Sequence, residues 1–71
     1  MAAQTIHTPK GFKVRTARST RFVVIVEGDN RAWVEKGSAS MATIRVHIQR
    51  QRNKGDWTPR QVWDMRDRKF V

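Results

Sequence analysis

The sequence predicts a small single α+β domain, in which an antiparallel β-hairpin is followed by one helix and a C-terminal strand, in β-β-α-β order. Three observations carry this. Arg21 to Glu27, RFVVIVE, holds five consecutive apolar residues, all aromatic or β-branched, as expected of a strand covered on both faces. Gly28-Asp29-Asn30 and the return run Arg31 to Lys36 complete a hairpin, because Gly and Asn tolerate positive φ and Asp bonds its own backbone. Ser38 to Gly55 is the longest stretch without an internal Gly or Pro, and it has the start and stop signals of a helix.

In chain order, Met1 to Gly11 is short of apolar residues and ends in Pro9 and Gly11, so residues 1–11 are expected to form a disordered N-terminal arm. The domain proper then spans 12–71. Phe12 to Thr16 alternates Phe12 and Val14 with Lys13 and Arg15, a pattern open to a short edge strand or to a continuation of the basic arm. Ala17 to Thr20 reads as a turn. In the hairpin, Phe22, Val24 and Val26 share one face, while Ala32 and Val34 oppose Trp33 across the second strand. Gly37 is expected to break that strand.

Within Ser38 to Gly55, Met41, Ile44 and Ile48 form a narrow apolar stripe at i, i+3 and i+7, to be packed on the hairpin. Ser38 or Ser40 supplies the N-cap. Asn53-Lys54-Gly55 places a cation and a left-handed residue at the other end. Ala42, Ile44, Val46 and Ile48 also alternate with polar neighbours as a strand would. The helix accounts for the length, the start and the stop; the strand accounts only for the middle.

Asp56 to Pro59 is a loop. Thr58-Pro59-Arg60-Gln61 has the form of a capping box, yet the residues after it show no helical stripe. A strand from Gln61 to about Arg66 puts Trp63 and Met65 on one face and Val62 and Asp64 on the other. The last residues, Lys69 to Val71, and the first nine are expected to be mobile. Trp33, Trp57 and Trp63 are open to two readings, covering part of the sheet face that the helix leaves open or standing exposed, and any exposed beside cations suit stacked bases or a protein interface.

Seventy-one residues allow one domain at most, with a core near the lower limit of stability. No cysteine is present, which removes disulfides and thiolate metal sites and fits a reducing compartment. No apolar run approaches the roughly 18 residues needed to span a bilayer, and no signal-peptide pattern opens the chain. A cytoplasmic protein without a membrane partner is expected.

Charge is the dominant compositional fact. Fifteen Lys and Arg stand against six Asp and Glu, a net +9, with an isoelectric point near 11.7. Residues 1–21 carry +5 and residues 38–54 carry +4, whereas the hairpin is nearly neutral. Clustered cations of this density are the electrostatic footprint of a polyanion binder.

The order strand, turn, strand ending in Glu35-Lys36, then Ser38-x-Ser40-x-Ala42-Thr43 opening a basic helix, resembles small uncharacterised proteins of actinobacterial phages. It covers about Arg21 to Arg66 and implies a phage accessory gene, hence the host cytoplasm, and a β-β-α-β order. The Asp-x-Asp-Ser start associated with that pattern is replaced here by Gly37-Ser38-Ala39-Ser40. No activity comes with the resemblance.

Catalysis would require a nucleophile with its base, a carboxylate pair or a metal constellation. His7 and His47 stand forty residues apart, the six acids are scattered, and no Gly-rich phosphate loop occurs. We therefore expect no enzyme and no cofactor. His47 reads as a solvated or phosphate-neighbouring residue, and Asp64 and Asp67 as salt-bridge partners of nearby arginines. A small nucleic-acid-binding protein, with DNA ahead of RNA and duplex ahead of single strand, accounts best for the charge. Its candidate contacts are Lys13, Arg15, Arg18 and Arg21 of the arm region and Arg45, Gln49, Arg50, Arg52 and Lys54 of the helix. Phosphate contact needs only the cations; Arg and Gln are also the side chains that read guanine and adenine edges. The alternative is a phage-type effector that binds an acidic host protein through a basic and Trp-bearing surface. A homodimer through an exposed strand edge stays open.

Overall fold

The computed structural model describes residues 3–71. Its elements are β1 (Gln4–His7), β2 (Lys13–Thr16), β3 (Phe22–Glu27), β4 (Ala32–Ser38), α1 (Met41–Asn53), β5 (Arg60–Asp64) and β6 (Lys69–Phe70). The fold is α+β, and the expected β-β-α-β order is present as β3-β4-α1-β5. An extra hairpin precedes it and an extra short strand follows it.

The main sheet has the order β4-β3-β5-β6, antiparallel throughout. The apolar run of β3 therefore lies between two neighbours, and every one of its residues is buried. Its alternating side chains feed two cores. Phe22 and Val24 meet Ile44 and Val62, with Met41 and Ile48 packed against them. This is the helix-covered face, as the stripe at Met41, Ile44 and Ile48 requires. Val23 and Ile25 meet Ile6, Val14 and Met65, with Val34, Trp63 and Phe70 alongside.

The second core corrects the expectation of a disordered arm. Residues 4–11 are not loose: β1 pairs antiparallel with β2, Ile6 opposite Val14, and this hairpin covers the face of the sheet opposite the helix. Ile6 is completely buried. Lone apolar residues at Ile6 and Val14 are too few to reveal a strand pair by pattern, yet alternation places both on one face. The remainder of the expected arm, residues 1 and 2, lies outside the described residues. The hairpin is anchored further by Gln4, whose Nε2 donates to the Met65 carbonyl at 2.7 Å and whose Oε1 accepts from Trp63 Nε1 at 3.0 Å.

Two smaller corrections follow from packing. Gly37 does not end β4 but lies inside it, paired with Val23; a Cβ there would sit 2.4 Å from Thr20 Oγ1, so glycine is needed for that close approach. Lys69 to Val71 are not a free tail. Lys69–Phe70 pairs with β5, and the Val71 N–H donates to the Val62 carbonyl at 3.0 Å. The turn into β6 uses Arg68 at φ 53°, a left-handed position without the Gly or Asn that would announce it. The tryptophans, open in the sequence between core and surface, divide: Trp33 and Trp57 are exposed, and Trp63 joins the hairpin-side core, with its ring edge-on to Phe70.

At the other uncertain stretch, the helical signal of Thr58-Pro59-Arg60-Gln61 loses to sheet pairing. The Pro59 carbonyl accepts from Glu27 N–H at 2.9 Å, and Arg60 to Asp64 zip along β3. Among the described residues no helix is long and apolar enough to cross a membrane.

Candidate functional site

Helix α1 is capped by Ser40, whose hydroxyl accepts from the Thr43 N–H, and it ends before Gly55 at φ +86°. Its inward side carries Met41, Ile44, His47, Ile48 and Gln51, so the outward side is left with Thr43, Arg45, Val46, Gln49, Arg50 and Arg52. No acid occurs between Lys36 and Gly55. An open groove of about 350 Å³ runs between this helix and β4, lined by Lys36, Ala42, Thr43, Val46, His47 and Arg50.

A β-bulge shapes the floor of that groove. Lys36 pairs with Val24 and Val34 with Ile25, so Glu35 is the extra residue. Two successive residues of a bulged strand oppose one on the partner, which lets Glu35 and Lys36 both serve the helix side while Val34 returns to the hairpin side. Glu35 Oε1 lies 2.5 Å from His47 Nε2 and 2.9 Å from Arg60 Nε, and Arg60 Nη2 reaches Glu35 Oε2 at 3.1 Å and Asp56 Oδ2 at 2.8 Å. His47 is thus not a solvated residue, as expected, but one of four side chains that tie α1, β4, β5 and the α1–β5 loop together. Helix spacing from Ile44 places it beside the apolar stripe, but the bulge that brings Glu35 opposite it is invisible in the sequence.

Hydrogen bonding from Arg60, together with His47, outweighs burial and holds the Glu35 carboxyl below its ordinary 4.5. Arg60 likewise holds Asp56 well below the carboxylate range. At Asp64 burial pushes upward, but the Asp67 and Arg66 N–H groups and the Arg21 guanidinium hold the carboxyl below its usual value. Carboxyls depressed in the folded state stabilise it fully above their unfolded values and lose that contribution as pH falls. Thermal melts should therefore be nearly flat from neutral pH to about pH 5 and decline steeply below about pH 4. A melting temperature unchanged at about pH 3 would show that these contacts are not held in solution.

The pairing of acids decides where positive charge is left. Asp64 takes Arg21 at 3.2 Å, Asp67 takes Arg21 and Arg66, and Glu35 and Asp56 take Arg60. Buried Glu27 accepts from the Lys10 N–H at 3.0 Å. Among the described residues, Arg21, Arg60, Arg66 and His47 are the basic side chains that pair with a carboxylate. Arg45, Arg50, Arg52 and Lys54 of the helix region, and Lys13, Arg15 and Arg18 of the hairpin region, make no such pair.

These candidate residues fall on two surfaces. Lys13 and Arg15 point outward from β2, alternating with buried Val14 and Thr16, on the layer opposite the helix. Arg18 is exposed, and its Cδ lies near Gly37. Arg21 is engaged with Asp64 and lies over the Phe22 ring at 4.9 Å. On the helix, Gln49 Nε2 donates to Asn53 Oδ1 at 3.0 Å, Arg52 lies over Trp57 at 5.7 Å, and Arg45, Arg50 and Lys54 are exposed. Lys36 joins them from β4, a residue that sequence reasoning missed because the bulge turns it to this side.

Comparison with protein-family models, with curated proteins and with solved structures returned no match.

Proposed function

We propose that the protein is a small basic nucleic-acid-binding protein that takes the duplex phosphate backbone, DNA ahead of RNA, on the helix side of the domain. One observation supports this above the others: the outer face of α1 and the adjoining groove carry Lys36, Arg45, Arg50, Arg52 and Lys54, none of them paired with a carboxylate, while the one acid at the groove floor, Glu35, is taken up by His47 and Arg60, and Asp56, Asp64 and Asp67 are paired with Arg60, Arg21 and Arg66. Unpaired cations on a rigid helix neutralise phosphates without a cost for breaking existing salt bridges. Val46, half exposed at the centre of that face, gives it an apolar contact as well.

Because the hairpin cations lie on the opposite layer, one duplex engages the helix side alone. About three to five phosphates are contacted, and log K falls with log salt with a slope of about −3 to −4.5. Reversing Arg45 and Arg50 to Glu weakens duplex binding by about tenfold or more per residue and flattens the slope, whereas reversing Lys13 and Arg15 has a smaller effect. Fluorescence anisotropy of a labelled duplex across a salt series checks this. No binding at about 50 mM salt would end the nucleic-acid reading.

A phage-type effector of an acidic host protein is the second reading, favoured by the 72% exposure of Trp57 beside Arg52. It predicts no duplex binding and a salt-tolerant protein complex that fails when Trp57 is replaced.

A further inference from the structure

Two exposed tryptophans occupy the same end of the main sheet. Trp33 pairs with Val26, which pairs in turn with Arg60. Trp57 stands two residues before Pro59, whose carbonyl is bound by the Glu27 N–H at that same end. Each ring carries a guanidinium: Arg31 over Trp33 at 5.1 Å and Arg52 over Trp57 at 5.7 Å. Trp57 is 72% exposed and Trp33 39%, so neither belongs to a core. The Trp57 loop is held rather than slack, because Asp56 accepts from the Thr58 N–H and from Arg60.

Resting on the nucleic-acid reading, we propose that this end of the domain stacks unpaired bases, continuing the strand whose phosphates the helix face holds. An indole takes any base on the π-face opposite its guanidinium, and that cation meets the adjoining phosphate. The partner's charge is set by complementarity: Arg31, Arg52 and Lys54 stand close in sequence to the two indoles, whereas of the nearby acids Glu35 and Asp56 are already paired with Arg60 and Asp29 lies in the β3–β4 turn. Arg52 connects the two surfaces, since it stands in the cationic helix face and also over the indole.

The test compares a labelled oligothymidine of about fifteen nucleotides with a duplex of equal length, by anisotropy at about 50 mM salt. The oligothymidine is expected to bind at least as tightly as the duplex. Trp57→Ala should weaken the single strand about tenfold and Trp33→Ala severalfold, with duplex binding changed less than about twofold. Trp57→Phe should restore most of the strand affinity, as a stacking role requires, and Trp57→Ala should melt like the parent because its ring is exposed. Duplex binding without oligothymidine binding, or Trp57→Ala leaving the strand untouched or weakening both nucleic acids equally, overturns the inference and leaves the duplex reading standing. Binding of neither overturns both.

Discussion

A chain that begins at Phe12 is expected not to fold. The missing segment contains only one charged residue, Lys10, and from its composition it would pass for a dispensable tail. Its removal takes away β1 and with it Ile6, which is completely buried against Val14, Val23, Ile25 and Met65. It also removes the Gln4 bonds to Trp63 and Met65, and the Lys10 N–H that satisfies buried Glu27. A buried carboxylate left without its donor carries the full desolvation penalty, about 1–3 kcal/mol or more. Loss of the Ile6 side chain alone is worth about 2–5 kcal/mol. A domain of this size has about 4–10 kcal/mol in total. Ile6→Ala in the full chain should lower the melting temperature by roughly 15 °C, and the truncated chain should show no cooperative transition at all. A truncated chain that melts like the intact one would mean that the hairpin is not part of the core.

Arg60→Met is the second large effect. The guanidinium, only 4% exposed, donates to Glu35, Asp56 and the Thr58 carbonyl at once, so its loss unties β4 and the α1–β5 loop from β5. Removal of one member of a buried pair costs several kcal/mol because the other charge is stranded. Here the cost is about 2 kcal/mol, below that range, because Glu35 and Asp56 keep contact with water. Adding Glu35→Gln should recover part of the loss, since the stranded charge is then removed. The coupling between the two changes, read from chemical denaturation of the four proteins, separates this from simple loss of packing. Independent, additive costs would mean that the contact contributes nothing to stability.

Local chemistry alone was enough for the central strand, the hairpin and the helix ends. An unbroken apolar run such as Phe22 to Val26 has to be covered on both faces, and Gly28-Asp29-Asn30, Ser40 and Gly55 each match one backbone requirement. The clustering of cations on residues 38–54 was equally legible, because charge is additive and helix spacing is regular. What covers the second face of β3 was decided only by the tertiary structure. Ile6 and Val14 are unremarkable apolar residues in a polar segment, and they become core only when Val23, Ile25 and Met65 supply the other side. The same holds for the site. A bulge at Glu35 turns Lys36 toward the helix and presents Glu35 to His47, sheet register gathers Arg60 with Glu35 and Asp56, and the layer order divides the arm and helix cations between opposite faces. None of these depends on neighbours in sequence, so no local pattern records them.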